Sequence, residues 1–265
     1  MISKLQVDFE MRYKDSGHGP VVVLLHGYLE TLKVWNSLVD DLKDDFRIIA
    51  PDLPGHGHSQ VSENVQTMDS MAESVKHLLD HLNITKCFMV GHSMGGYVTL
   101  AFLEKYPQYL LGISLFHSSP FADSEEKKTN RDREKELVQA GKKEQLYNLH
   151  FPKTFANENT ERFHETIERL KSKAKKTSNN GICAALDGMK ARPDRSLVLK
   201  MTEVPVQYII GKKDNFIPFS ILDKLELPVG TDLVVLENSG HMGMFEEKQK
   251  STDSIRKFLK RYISL

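Results

Sequence analysis

The sequence predicts an α/β protein with a mostly parallel, doubly wound sheet and a helical cap inserted after the sixth core strand. Short apolar runs rich in β-branched residues recur at 21–25, 46–50, 87–90 and 110–116, with helix-patterned stretches between them. Runs of this kind suit strands covered on both faces, because no residue of such a strand needs to meet water. A change of texture is the third observation. Strand-like runs stop after 116, and 18 Lys and Arg stand against 13 Asp and Glu over 121–200. Residues 1–118 and 202–265 therefore read as the core, and 119–201 as the cap.

In chain order, 5–13 alternates apolar and polar residues as half-buried strands do. Asp15-Ser16-Gly17-His18-Gly19-Pro20 reads as a turn, so this region is expected to form a hairpin. Val21-Val22-Val23-Leu24-Leu25 is the first fully apolar strand, ended by His26-Gly27-Tyr28. Thr31 is placed to cap a helix carrying Trp35, Leu38, Val39 and Leu42. Strand 46–50 runs into a loop punctuated by glycine and proline, 51–59, and a helix over about 67–82 leads to the strand at 87. In the cap, helices are expected around 133–149 and 160–176, with an Asn179-Asn180-Gly181 turn dividing its helices. Strand patterns resume at 204–211 and 232–236. A last helix from about 244 puts Ile255, Phe258, Leu259 and Tyr262 on one face.

The chain is organised around Gly91-His92-Ser93-Met94-Gly95-Gly96, which joins an apolar strand directly to a helix pattern. Such a turn forces its middle residue towards an unfavourable backbone conformation, and glycines on either side let strand and helix approach closely. It lifts the Ser93 hydroxyl clear of the sheet at the positive end of a helix, which makes Ser93 the candidate nucleophile. A serine hydroxyl is weak near neutral pH. It needs an imidazole to take its proton, and the imidazole needs a carboxylate to orient it. Function in parallel sheets gathers at the carboxyl ends of strands, which singles out 211–218 and 237–243. Asp214 and His241 fill the two roles, in the chain order Ser93, Asp214, His241. Asp123, Glu125 or Glu126, one strand earlier, are the alternative source of the acid. His117, Phe151 and Phe155 are candidate substrate contacts, whereas His26, His56, His58 and His92 read as residues that shape loops.

Leu24-Leu25-His26-Gly27-Tyr28, Asp52-Leu53-Pro54-Gly55-His56-Gly57-His58-Ser59, the 91–96 motif, 211–218 and Ser239-Gly240-His241 follow in order over nearly the whole chain. By these stretches the chain resembles the α/β-hydrolase fold superfamily, in its small, lid-bearing branch. The resemblance implies an oxyanion hole formed by the backbone N–H groups of Tyr28 and Met94, and a carboxylesterase-like enzyme without metal or cofactor. It also implies a Ser-His-Asp hydrolase that cleaves an ester or related acyl bond through an acyl-enzyme. Ser93 separates the chain from relatives whose aspartate nucleophile acts on carbon–halogen bonds or epoxides. Carbon–carbon hydrolysis, an elimination of the menaquinone-synthase kind, and a small-ligand sensor without turnover stay open beside the esterase. The cap is expected to set acyl-chain selectivity.

The 36 basic and 36 acidic side chains cancel, so no global field draws in nucleic acid or an anionic membrane, and the expected partner is a small molecule. Oligomeric state leaves no signal. Cys87 and Cys183 lie outside any C-x-x-C pair and are expected as free thiols. The chain carries neither a secretory-type apolar region at its N-terminus nor a run of roughly 20 apolar residues, and the expected compartment is the cytoplasm.

Overall fold

The computed structural model describes residues 2–6, 10–61 and 65–263. Eight strands form one sheet in the order β1-β2-β4-β3-β5-β6-β7-β8. They are β1 Ile2–Gln6, β2 Glu10–Ser16, β3 Val21–Leu25, β4 Arg47–Pro51, β5 Cys87–His92, β6 Leu110–Phe116, β7 Val206–Gly211 and β8 Asp232–Leu236. β2 runs antiparallel to β1 and to β4, and every other pair is parallel. All of β5 and β7 is buried, as is all of β3 and β4 after the first residue, in keeping with their unbroken apolar runs. Among the helices outside the inserted segment, α2 (Met68–His81) packs on α3 (Met94–Lys105), and α1 (Asn36–Leu42) on α10 (Lys248–Tyr262). Thr67 caps α2, its hydroxyl accepting from the Ser70 N–H at 3.0 Å.

The order of the sheet places the site. β3 lies between β4 and β5, so the chain leaves β3 first to one side and then to the other. Ligands of open α/β sheets bind at such a switch point, outside the carboxyl ends of the strands. The residues that follow β3 and β5 there include Tyr28 and Ser93.

Between β6 and β7 the chain forms five helices: α4 Glu125–Gln139, α5 Lys143–Lys153, α6 His164–Ala174, α7 Asn179–Ala191 and α8 Ser196–Met201. The stretch expected as one helix over 133–149 is two, broken at Gly141, whose φ of +74° few other residues would adopt. Asn179-Asn180-Gly181 is the first turn of α7 and not a divider. Ser178 sets that boundary, its Oγ accepting from the Gly181 N–H at 3.0 Å. The hairpin expected at the 15–20 turn does not form, since β2 pairs with β1 and β4 and not with β3. Asp15 and Ser16 belong to β2, paired with Ile49 and Ile48, so the turn that follows leads to β3 on the far side of β4. The last helix is preceded by a short one, α9 Gly243–Glu246. Among the described residues no helix is long and apolar enough to cross a membrane. Cys87 and Cys183 are free thiols.

Candidate active site

Ser93 sits between β5 and α3 with φ 51° and ψ −114°, a conformation that costs a non-glycine residue about 1–3 kcal/mol. The tight fit explains the glycines around it. A Cβ on Gly95 would stand 2.3 Å from the Leu25 carbonyl oxygen, and one on Gly91 would stand 2.4 Å from the Gly95 oxygen. Two hydrogen bonds hold the turn to the end of β6: the Ser93 N–H donates to Phe116 O at 3.0 Å, and the Ser118 hydroxyl donates to Ser93 O at 2.8 Å.

Asp214 and His241 follow β7 and β8. The His241 Nδ1–H donates to Asp214 Oδ2 at 2.7 Å, leaving Nε2 free to act in the cavity that Ser93 and His241 both line. Asp214 Oδ1 accepts from the Phe216 and Ile217 N–H groups at 2.7 and 2.9 Å. Burial alone would raise the Asp214 carboxyl, but His241 and His117 hold it well below the usual carboxylate range. Asp123, by contrast, is spent on Arg131 and Arg192, and Glu125 pairs with Lys128 at the surface. The alternative acid therefore falls away, although Glu126 does reach the cavity wall.

His117 is not a substrate contact. Its φ of 49° turns it under the sheet end, where it is 0% exposed and bonds Asp214 Oδ2 at 3.1 Å. The Gly243 N–H points at its Nε2 at 3.3 Å and the Gly211 N–H at its Nδ1 at 3.2 Å, so protein groups enclose both ring nitrogens. Burial pushes its pKa down to about 4. His117, Asp214 and His241 are also the His/Asp set among the described residues compact enough for a metal ion, their donor atoms lying within 4.8 Å. The two imidazole–carboxylate separations, 2.7 and 3.1 Å, are hydrogen-bond lengths.

A second buried network lies beneath. The Glu30 Oε2 accepts from the Gly27 N–H at 2.6 Å and faces His92 Nδ1 at 3.1 Å, while the His92 Nε2–H donates to the His241 carbonyl at 2.9 Å. Both partners of His92 are acceptors, which suits a protonated ring. Burial works against that charge, but Glu30 outweighs it and raises His92, while Glu30 itself is held down to about 2. His26 joins two more loops: its Nδ1–H donates to Gly27 O at 2.8 Å, and its Nε2 accepts from the Leu53 N–H at 2.9 Å. The loop bearing Tyr28 is thus tied by His26 to the loop bearing Leu53, and by Glu30 through His92 to the turn bearing Ser93. Among the described residues the N–H groups of Tyr28 and Met94 donate to no backbone acceptor.

The cavity above Ser93 has a volume of about 650 Å³, and α4, α5 and Met189 of α7 supply much of its wall. Phe151 and Phe155, expected as substrate contacts, are 1% and 0% exposed and are not among the residues lining the cavity. Phe155 stacks on Phe163 and Phe245, and Phe151 packs against Tyr147 and His150. The side chains that do line the cavity include Leu137, Leu146 and Leu149, which the sequence offers equally for packing the cap and for lining a pocket, and His150 and Phe216, which it does not single out. Their helical spacing was visible, but nothing in it said which face looks at Ser93.

Residues 20–248 match the alpha/beta hydrolase fold family. A thermophilic esterase from Thermogutta terrifontis, solved with malate bound, superposes with a TM-score of 0.93 over 99% of both chains at 30% identity. An enol-lactonase from Burkholderia xenovorans shares the fold, with a TM-score of 0.88 over 96% of this chain and 97% of that one at 22% identity. An AB hydrolase superfamily protein of Bacillus subtilis is 27% identical over 92% of this chain and 93% of its own. The dihydrolipoyllysine-residue acetyltransferase component of the acetoin cleaving system of Pseudomonas putida is 29% identical over 92% of this chain, which spans 64% of that protein's length.

Proposed function

Since the chain belongs to the α/β-hydrolase fold family, we propose that it is a serine hydrolase cleaving a carboxylic ester or related acyl bond of a small molecule. The observation that carries this reading is the buried Asp214–His241 pair at 2.7 Å, opening on the same cavity as the strained Ser93. His241 Nε2 takes the proton as Ser93 Oγ attacks the carbonyl, and Asp214 stabilises the imidazolium that forms. The N–H groups of Tyr28 and Met94 receive the developing oxyanion. His241 returns the proton to the leaving alcohol, and water then attacks the acyl-enzyme with the same imidazole as base. The inserted helices act as the cap, and the esterase among the similar structures supports this choice of bond.

Treatment with a fluorophosphonate should add its mass to Ser93 alone, and short p-nitrophenyl esters should be turned over by the wild type but not by Ser93→Ala. Folded protein that resists labelling, or ester turnover that survives Ser93→Ala, would remove the reading.

A further inference from the structure

Several polar side chains that reach into the cavity are already engaged. Glu134 takes the Tyr28 hydroxyl, Arg131 is paired with Asp123, and Lys127 donates to the Phe216 carbonyl at 3.4 Å. Tyr97 and His150 differ. Among the described residues the Tyr97 hydroxyl and the two ring nitrogens of His150 bond to no protein group, yet none of these atoms is sealed from the cavity that both residues line. Tyr97 is only 5% exposed and His150 is half-buried, whereas Lys153 and Glu126 are exposed and meet water. Buried polar groups of native proteins are almost always paired, so two open ones in a single cavity point to a ligand group that completes them. Both are held in place. Tyr97 follows Ser93 by one turn of α3, its N–H donating to Ser93 O at 3.3 Å, and the Arg192 guanidinium lies over its ring at 3.9 Å. His150 lies one turn before Thr154, whose carbonyl accepts the His241 N–H at 2.7 Å. Its ring packs edge-on against Tyr28 at 5.6 Å and beside Phe216 at 5.1 Å.

The chemistry of the two side chains narrows what that group is. Burial, and then His241, lower His150 to about 3, so its ring is neutral and offers one N–H, as the phenol offers one O–H. Arg131 is close enough to interact electrostatically with both residues, and Lys153 with His150. A cationic ligand group would meet these two charges. A plain alkyl chain would take water from both donors and return no bond. An acceptor oxygen, of a carbonyl or a carboxylate, suits the donors and the field alike.

Resting on the hydrolase reading above, we propose that Tyr97 on the core and His150 on the inserted helices form a subsite for an acceptor oxygen, and that the preferred substrates are esters carrying a second carbonyl or a carboxylate besides the scissile bond. Side chains one helical turn apart start about 5–6 Å from each other, so Tyr97 suits an oxygen about four bonds from the carbonyl carbon that Ser93 attacks.

The test compares matched esters by pH-stat: methyl pentanoate with methyl 4-oxopentanoate and monomethyl succinate for the acyl side, and propyl acetate with 2-oxopropyl acetate for the alcohol side. Each ratio of kcat/KM is divided by the ratio for alkaline hydrolysis, which removes intrinsic reactivity. The wild type should favour an oxygenated ester by about tenfold or more, since a site built to bond a polar group rejects the analogue without it. Whether the ketone or the succinate gains more tells a neutral carbonyl from a carboxylate. The preference should fall at least about threefold in Tyr97→Phe, which keeps the ring under Arg192, and again in His150→Leu. Ratios near one for every oxygenated ester, or a preference that either variant leaves intact, overturn the subsite. Calorimetric binding of the same esters to Ser93→Ala decides the matter without turnover. Tighter binding of an oxygenated ester, weakened in Ser93→Ala/Tyr97→Phe, supports the subsite even if the wild type hydrolyses nothing. Equal binding of all of them overturns it. Turnover of the plain esters with no preference for the oxygenated ones leaves the hydrolase reading standing and sinks the subsite alone.

Discussion

Asp214 is bonded through both oxygens, and this decides what an amide would do in its place. Oδ1 accepts from two backbone N–H groups, so the oxygen of an asparagine must remain there and its NH₂ must take the Oδ2 position. That NH₂ would face His241 Nδ1 and donate to it, moving the ring proton to Nε2 and removing the base from the cavity side. Asp214→Asn is therefore expected to lower kcat on the order of a thousandfold or more, with a melting temperature close to that of the wild type. Near-normal turnover would show that His241 is oriented by some other group. At this scale the candidate triad was legible, because a serine between glycines and a carboxylate and a histidine after two later strands can be read from order alone. His117 was not. Its position at a strand end matched a substrate contact, but a positive φ turned the ring inward to Asp214. Glu30 was missed because its partner His92 ends β5, far away in the sequence.

The loop carrying His241 is fastened to the end of α5 by several bonds. The His241 N–H donates to Thr154 O at 2.7 Å. Glu246 in α9 spreads its carboxylate between the two sides: Oε1 accepts from the Gly240 and Met242 N–H groups at 2.8 and 3.2 Å, and Oε2 from the Ala156 N–H at 2.8 Å and Asn159 Nδ2 at 2.7 Å. In Glu246→Gln one oxygen becomes an NH₂ that faces N–H groups, so about two of these bonds are lost. Hydrogen bonds to a charged group contribute about 1.5–3 kcal/mol each, and for a chain of this size each kcal/mol moves Tm by about 2–4 °C. The variant should melt at least about 6 °C lower and lose kcat with little change in KM, because the base is displaced rather than the pocket. An unchanged Tm and kcat would mean that Thr154 alone holds the loop. Strands and their ends could be read in the sequence because a strand buried on both faces is continuously apolar. The inserted helices could be read as helices but not oriented. α4 turns polar residues such as Asn130, Arg131 and Glu134 towards the cavity, while Phe151 packs within the segment and Phe155 between it and α9.

Across the whole molecule, the loops at the carboxyl edge of the sheet are joined through buried imidazoles. His26, His56 and His117 are all 0% exposed. Burial lowers all three, His56 to about 3 and His117 to about 4. In the unfolded chain the same rings titrate near about 6.5. Below that pH the unfolded state takes up protons that the native state refuses, so the stability present above about 6.5 is lost as pH falls towards the native values. Each such ring removes up to about 1.4 kcal/mol per pH unit. The carboxylates do not interfere in the upper part of this window. Glu30, held down to about 2, and Asp214, held lower still, stay ionised in both states until the unfolded carboxylates titrate near about 4. His92 works in the opposite sense, since its raised pKa gives stability that is full below about 6.5 and lost as pH rises through the native value. Thermal melts in low-salt buffer should thus show Tm falling between pH 6.5 and 4.5, with unfolding taking up about one proton for each buried neutral ring, His150 in the cavity wall, lowered to about 3 by burial, included. His117→Gln, which can still donate to Asp214, should flatten that slope by about one proton. A Tm that stays level from pH 7 to 5 would mean that these imidazoles gain protons inside the folded protein.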